Sequence, residues 1–156
     1  MFKYHLEHIL SYTAKLGERE VIGPVPEGLR VNVDVTGGEV TGPKISGKFR
    51  SLSGDWVTIR RDGVAVLDVR ATIETGDGAL IYLSYSGTSD RGEDGYERTL
   101  QGGPATTGTP VHISPRSHAS HPNYLWLNRL HCVGLERVFP ERAEVSYDVY
   151  AIRIVE

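Results

Sequence analysis

The sequence has little of what several protein classes require. It contains one cysteine, Cys132, so no disulfide can form within the chain and nothing demands an oxidising compartment. The amino-terminal residues lack the apolar segment of a signal peptide. No apolar run approaches the length of a membrane span. A cytoplasmic protein without a membrane partner is therefore the default expectation.

The chain also lacks a large excess of positive or negative charge. The chain has 17 Lys and Arg against 20 Asp and Glu, for a net charge of −3. Proteins that bind a phosphate backbone carry a broad basic excess, so we expect no nucleic-acid partner. Hydrophobic residues make up 39% and charged residues 24%, which is typical of a folded protein. A length of 156 residues suits one domain, spanning residues 1–156.

No long stretch of the sequence shows the hydrophobic periodicity of an amphipathic helix. Instead, 18 glycines and 8 prolines separate short runs with the alternation of β-strands. Hairpin turns are predicted at Asp62-Gly63 and Asp77-Gly78. A long polar loop is expected near residues 88–123, with one short strand around 111–113 and a helical turn at 116–121. The predicted strands are residues 6–16 (long or bent), 29–38, 42–50, 55–60, 64–74, 79–87, 124–133 and 144–154.

Eight or more antiparallel strands must protect the edges of their sheet. Closure into a barrel is the usual solution at this size. We therefore predict an all-β fold with a single closed antiparallel β-barrel, and a β-sandwich is the alternative. A barrel of about eight strands has an interior that holds side chains or one small ligand.

Two neighbouring strands carry polar residues that suit chemistry. Alternation places Asp68 and Arg70 on one face of the strand 64–74, opposite Leu67 and Val69. Two interpretations stay open: a solvated outer face with a surface ion pair, or an inward face on which Asp68 holds Arg70 as an anion clamp. Tyr82, on the hairpin partner, either packs or acts beside Arg70 as an acid or oxyanion donor.

The predicted strand 124–133 offers a second polar face. Tyr124, Trp126 and Asn128 share it, which combines aromatic walls with an amide, as small-molecule pockets do. Plain core packing is the equal alternative.

Motifs for metals and cofactors are missing. His112, His118 and His121 occur in the polar segment without an accompanying metal motif. One loop histidine that reaches into the barrel mouth as a general base is the better interpretation. No phosphate loop or dinucleotide-type glycine motif occurs. We therefore expect no metal and no cofactor.

Several short segments stand in an order typical of a known family. They are Gly47, Gly54-Asp55-Trp56, Asp62-Gly63, Leu67-Asp68-Val69-Arg70, Thr75-Gly76-Asp77-Gly78 and Tyr124-Leu125-Trp126-Leu127-Asn128. On these, residues 6–153 resemble a family of small bacterial and fungal proteins known only as a domain of unknown function. The resemblance implies a lipocalin-like antiparallel barrel and no general activity.

The resemblance also implies where the recurrent polar and aromatic positions lie. They are Asp55, Trp56, Asp68, Arg70, Tyr82, Tyr124, Trp126 and Asn128. This favours the inward interpretation of Arg70. Residues 116–121 depart from the family pattern, which makes His118 and His121 candidates for a specialised role.

Three functions are consistent with the sequence. The first is a cofactor-independent lyase, isomerase, cyclase or hydratase, since no nucleophile for acyl transfer presents itself. In that enzyme Arg70 and Asn128 hold negative charge on a small, apolar or aromatic oxygenated molecule. Tyr82, His118 or Asp68 moves a proton, and Asp55, Trp56, Tyr124 and Trp126 line the binding site. The second is a non-catalytic small-molecule binding barrel, and the third is a homo-oligomeric structural protein.

Overall fold

Antiparallel strands make up most of the computed structural model, which describes residues 1–155. A short helix, α1, spans Gly95–Leu100, and two 3₁₀ helices span Pro122–Arg129 and Pro140–Arg142. Within the described residues no helix combines the length and apolarity needed to cross a bilayer. The strands are β1 (Tyr4–Val25), β2 (Gly28–Thr41), β3 (Ser46–Phe49), β4 (Gly54–Ile59), β5 (Val64–Thr75), β6 (Leu80–Asp90), β7 (Pro110–Ala119), β8 (Cys132–Phe139) and β9 (Glu144–Ile154).

The strands pair into a closed ring. The sheet order is β1-β9-β8-β7-β6-β5-β3-β2-β4, and an additional pairing between β1 and β2 returns to the first strand. Eight strands complete the hydrogen-bonded ring, because β3 and β4 both lie between β2 and β5 and pair with successive stretches of them. The predicted all-β antiparallel architecture is confirmed, and ring closure leaves most strands paired on both sides.

Alternation along each strand separates an apolar interior from a polar exterior. In β5, the side chains of Leu67, Val69 and Ala71 are buried, and the residues between them face outward. Ile81 and Leu83 do the same in β6. Complete burial of one large apolar side chain stabilises the fold by about 1.5–3 kcal/mol. These interior rows therefore fix which face of each strand turns inward.

β1 is long because it has two partners. It pairs with β9 from Tyr4 to Lys15 and with β2 from Ser11 to Val25. Register shifts near Leu16 and Val21 bend the strand, as β-bulges do. The prediction of a long or bent first strand is confirmed, and the strand continues nine residues beyond the predicted end at Leu16.

Two predicted segments are wrong. Residues 124–133 are not one strand: Pro122 starts a 3₁₀ helix, and the ring of His121 caps it by accepting a hydrogen bond from the Asn123 N–H at 3.3 Å. The predicted loop at 88–123 contains the end of β6, α1 and all ten residues of β7. β7 is polar because its outer residues face solvent, while Val111 and Ile113 are buried.

Candidate functional site

The ring encloses a cavity of about 90 Å³, and all nine strands contribute to its lining. Most of the wall is aliphatic. The polar part consists of three tyrosines, two carboxyl groups and one guanidinium, which we call the polar cluster: Tyr12, Tyr85, Tyr147, Asp55, Glu136 and Arg91. A small number of polar groups in an apolar wall is the usual composition of a small-molecule site.

The charged members of the cluster occupy inward positions on strands whose neighbouring inward residues are small or apolar. Asp55 has the same parity as Val57 in β4. Glu136 lies between exposed neighbours on β8 and is 4% exposed itself. Arg91 stands two residues after the buried Ser89, one residue past the end of β6, and so continues the inward row. The same alternation that turns apolar side chains into the core therefore also turns these charged groups toward the cavity.

The three tyrosines form one packed group. The Tyr85 hydroxyl donates a hydrogen bond to the Tyr147 hydroxyl at 2.7 Å. The ring of Tyr12 stacks on that of Tyr147 with centroids 4.2 Å apart. Burial raises the pKa of all three phenols well above the ordinary value. Their hydroxyls therefore stay protonated and can donate hydrogen bonds at neutral pH.

The two carboxyl groups hold their protons to unusually high pH. Burial raises the pKa of Asp55 to about 7, although a hydrogen bond from the Asp68 N–H, 3.0 Å from Oδ1, opposes the shift. Burial likewise raises the pKa of Glu136 to about 8, and the negative charge of Asp55 raises it further. The Tyr147 hydroxyl and Arg91 partly offset that rise. Both carboxyl groups can therefore exchange protons near neutral pH.

Hydrogen-bonding capacity in the cluster is left unused. Of the described residues, four buried side-chain polar atoms lack a partner, and three belong to the cluster: Tyr12 Oη, Arg91 Nε and Glu136 Oε2. A buried polar atom without a partner costs about 1–3 kcal/mol. Such groups concentrate where water or a ligand completes the site. The polar cluster is therefore the candidate functional site.

The inward interpretation of Arg70 is wrong. Its side chain is 55% exposed on the outer face of β5, with a guanidinium nitrogen 3.4 Å from an Asp68 carboxylate oxygen. The guanidinium carbon also lies 5.7 Å from the centre of the Trp56 ring. The apolar residues of β5 fill the interior and turn Arg70 and Asp68 to solvent.

Some of the predicted site residues do meet, but on the outside. Asp55, Trp56, Arg70 and Tyr82 line an outer groove of about 650 Å³. The ring of Tyr82 lies 6.3 Å from that of the exposed His118, centre to centre, on the neighbouring strand. Of these predicted residues, only Asp55 lines both the groove and the interior cavity.

The predicted binding face at Tyr124, Trp126 and Asn128 does not exist as a strand face. These residues lie on the 3₁₀ helix, and none lines the interior cavity. The Tyr124 hydroxyl donates to Asp77 Oδ1 at 2.9 Å, and Trp126 Nε1 donates to the Asn123 carbonyl at 3.0 Å. Asn128 exchanges two hydrogen bonds of 2.8 Å with the backbone of residue 119. The contacts of Tyr124 and Asn128 attach the helix to the end of the ring, and that of Trp126 lies within the helix.

Five members of the polar cluster are missing from the sequence prediction: Tyr12, Tyr85, Arg91, Glu136 and Tyr147. Parity was a usable signal for the three tyrosines. Tyr12 shares a strand face with the buried Ala14, Tyr85 with the buried Leu83, and Tyr147 with the buried Val145. Glu136 falls outside every predicted strand. Within residues 1–155 no three His, Cys, Asp or Glu side chains are grouped as metal ligands.

Comparison with known proteins gives one family and one fold. Residues 4–152 match the family described as protein of unknown function (DUF3237). A UPF0311 protein of Rhodopseudomonas palustris (strain TIE-1) is 30% identical over 147 residues, which cover 94% of this chain and 95% of the relative. The crystal structure of a conserved protein of unknown function from Rhodopseudomonas palustris superposes with a TM-score of 0.84 at 27% identity, covering 97% and 99% of the two chains.

Two further structures share the architecture. A beta-barrel like protein from Acinetobacter baumannii gives a TM-score of 0.79 at 27% identity and 97% coverage of both chains. A protein described as an enzyme from Penicillium herquei gives a TM-score of 0.67 at 21% identity, with 94% of each chain covered. At that identity the second likeness concerns the fold alone.

Proposed function

Because this chain belongs to the DUF3237 family, whose description names no activity, we propose a function from its site: a cofactor-independent enzyme that moves protons on a small, mostly apolar oxygenated molecule inside the strand ring. The family membership predicted from the sequence is confirmed. The proposed catalytic groups are those of the polar cluster, and they replace the outward-facing Arg70, Asp68, Tyr82 and His118.

One observation carries the proposal: two carboxyl groups with pKa values near neutrality line the same cavity. Acid–base catalysis needs one group that accepts a proton and one that donates it near the working pH. Asp55, with a pKa of about 7, is partly ionised at neutral pH and suits the base. Glu136, with a pKa of about 8, is mostly protonated there and suits the acid. Since the two groups interact, they titrate as a pair.

The remaining cluster residues suit the charge that proton transfer creates. Removing a proton from the carbon beside a carbonyl, or from a hydroxyl, places negative charge on an oxygen. Arg91 and the tyrosine hydroxyls are hydrogen-bond donors in a mostly apolar wall, where such charge is stabilised more strongly than in water. The reactions predicted from the sequence, those of a lyase, isomerase, cyclase or hydratase, all include proton transfers of this kind.

The comparisons support this proposal at the level of the fold. The Penicillium herquei protein that shares the fold is described as an enzyme, so catalysis is compatible with this architecture, although fold alone does not determine chemistry. We also propose that the ring is a closed, lipocalin-like barrel. The description of the Acinetobacter baumannii neighbour as beta-barrel like supports this.

A binding protein without catalysis is the second candidate. It is favoured by a second chamber of about 200 Å³, with a mostly apolar wall, that adjoins the cavity. The two candidates differ in whether a bound molecule exchanges hydrogen with the protein.

Hydrogen exchange in D₂O tests the proposal without knowledge of the full reaction. A pool of small unsaturated acids, hydroxyketones and phenols is incubated with the protein, and deuterium uptake at carbon and product formation are followed by NMR and mass spectrometry. Wild type should show exchange or conversion, and Asp55→Asn and Glu136→Gln should each lower the rate at least about 100-fold. Arg70→Ala, on the outer face, is the matched control and should retain the rate.

The pH dependence supplies a second criterion. The plot of rate against pH should be bell-shaped. The rate should rise near pH 7 as Asp55 ionises and fall near pH 8 as Glu136 loses its proton. Turnover that survives both carboxyl substitutions would contradict the proposal. Tight binding without exchange would instead favour the non-catalytic candidate.

A further inference from the structure

A second chamber opens beside the interior cavity. It has a volume of about 200 Å³ and shares Val57, Arg91 and Val138 with the wall of the cavity. Pro104 and Ala105, from the segment between α1 and β7, form part of its wall. We call this space the arginine chamber. Any molecule that reaches the polar cluster through it passes Arg91.

The charge of the arginine chamber has one sign. Arg19 and Arg91 are the charged residues among its described lining residues, and the rest of the wall is apolar or glycine. The whole chain carries a net charge of −3, so a wall with positive charge alone departs from the average surface. Positive charge in a low-dielectric wall attracts anions and repels cations.

Within the described residues, no carboxylate forms an ion pair with the guanidinium of Arg91. Its Nε–H is buried and has no hydrogen-bond partner among the described residues. Burial raises the pKa of the carboxyl groups that share the cavity, so at neutral pH Glu136 is mostly protonated and Asp55 is only partly ionised. Arg91 therefore offers both charge and a free donor.

The chemistry of the Arg91 guanidinium limits the class of ligand that the chamber can bind. Its planar fork of N–H donors matches a carboxylate, which accepts two parallel hydrogen bonds. The apolar remainder of the wall suits a hydrocarbon body. A cavity of about 150 Å³ is enough for benzene, so the arginine chamber has room for one substituted ring or a chain of similar size.

We propose that the arginine chamber binds small monocarboxylic acids, with the carboxylate on Arg91 and the apolar body against Val57 and Val138. This inference rests on the proposed function and names the substrate class of that site. A carboxylate held on Arg91 places the adjoining carbon atoms at the boundary with the cavity that Asp55 and Glu136 line. Arg19, which is exposed at the chamber, adds attraction for the incoming anion.

Calorimetric titration with matched acids and amides tests this assignment. The ligands are benzoate, cinnamate and hexanoate, each paired with its neutral amide of nearly the same shape. At least one acid should bind wild type 10-fold or more tightly than its amide. Arg91→Gln should abolish that preference, Arg91→Lys should retain part of it, and Arg70→Gln on the outer face should leave it unchanged.

A steric variant locates the ligand independently of charge. Ala105→Trp places a large ring at the chamber and should weaken acid binding at least 10-fold while the folded spectrum is preserved. In wild type, the NMR chemical-shift changes caused by titration with the acid should be largest around Ala105 and Val138. If Arg91→Gln does not fold, the result with Ala105→Trp decides.

The outcomes separate this inference from the proposed function. Acids that bind no tighter than their amides, or a preference that persists in Arg91→Gln, would overturn the assignment of the chamber even if hydrogen exchange depends on Asp55 and Glu136. Acid binding that depends on Arg91, in a protein that exchanges no hydrogen, would uphold the chamber and overturn the enzyme.

Discussion

Replacing Glu136 with glutamine should stabilise the protein increasingly as the pH rises. Glutamine keeps the shape of the side chain but cannot ionise. The side chain of Glu136 is buried, and its pKa rises from the ordinary 4.5 to about 8 in the folded protein. Wild type must therefore accommodate a buried negative charge at alkaline pH, and the variant does not.

The sign and size follow from proton linkage. Between pH 4.5 and 8 the folded protein retains a proton that the unfolded chain has lost, so this group lowers the stability of wild type as the pH rises. Above pH 8 the loss is complete. At about 1.4 kcal/mol per pH unit, the free energy of unfolding of the variant relative to wild type should rise by about 4 kcal/mol from pH 5 to pH 9.

Urea unfolding at pH 5, 7 and 9, followed by tryptophan fluorescence, measures this difference directly. Glu93→Gln is a matched control, because Glu93 is exposed in the connection after β6. Its stability relative to wild type should stay constant across the pH range. Parallel stability curves for wild type and Glu136→Gln would refute the reasoning, since they would mean that Glu136 ionises as an exposed carboxyl group does.

Four other variants probe separate contacts. Asp55→Asn should lower the pKa of Glu136, because the charge of Asp55 raises it; carbon-13 NMR of the Glu136 carboxyl group checks this, and an unchanged titration counts against their coupling. Tyr85→Phe removes the donor to Tyr147 and should cost about 1 kcal/mol in urea unfolding; no loss would mean that the bond contributes nothing. Asp77 has a pKa lowered to about 2, chiefly by the Thr75 hydroxyl. It therefore adds stability that is lost as the pH falls from about 4 to 2, so Asp77→Asn should have a lower melting temperature at pH 7 and a flatter acid limb; an unchanged limb would contradict this. Arg70→Ala should change the free energy of unfolding by less than about 1 kcal/mol, since its ion pair is exposed; a larger loss would contradict a purely surface position.

Local signals in the sequence identify the hairpins well. The predicted turn at Asp62-Gly63 joins β4 to β5, and the one at Asp77-Gly78 joins β5 to β6. Gly63 and Gly78 have φ angles of +85° and +82°, a region that favours glycine. These turns succeed as predictions because their chemistry involves only adjacent residues.

Competition between two signals explains the error at Arg70. Alternation predicts an apolar interior face for the strand 64–74, and the family resemblance favours Arg70 inside. The structure follows the alternation, because turning Arg70 inward would expose the whole apolar row of β5. A one-residue shift exchanges every side chain of a strand between the two faces.

The segment after residue 88 could not be predicted from local pattern. Polar outer residues hide the strand character of β7, and its apolar residues find their partners only through the ring. The 3₁₀ helix at Pro122–Arg129 depends on Pro122 and the His121 cap, which a count of alternating residues misses. Glu136 and Arg91 were missed for the same reason: their importance comes from meeting inside the ring. The expected homo-oligomer and cytoplasmic location stay predictions.

Because the polar cluster draws on β1, β4, β6, β8 and β9, the site cannot form before β9 has been synthesised. Tyr85 and Tyr147, which share a hydrogen bond, are separated by 62 positions in the chain. A nascent or truncated polypeptide that lacks β9 has neither Tyr147 nor a closed ring. Ligands of the interior should therefore act as pharmacological chaperones, protecting only molecules whose synthesis and folding are finished.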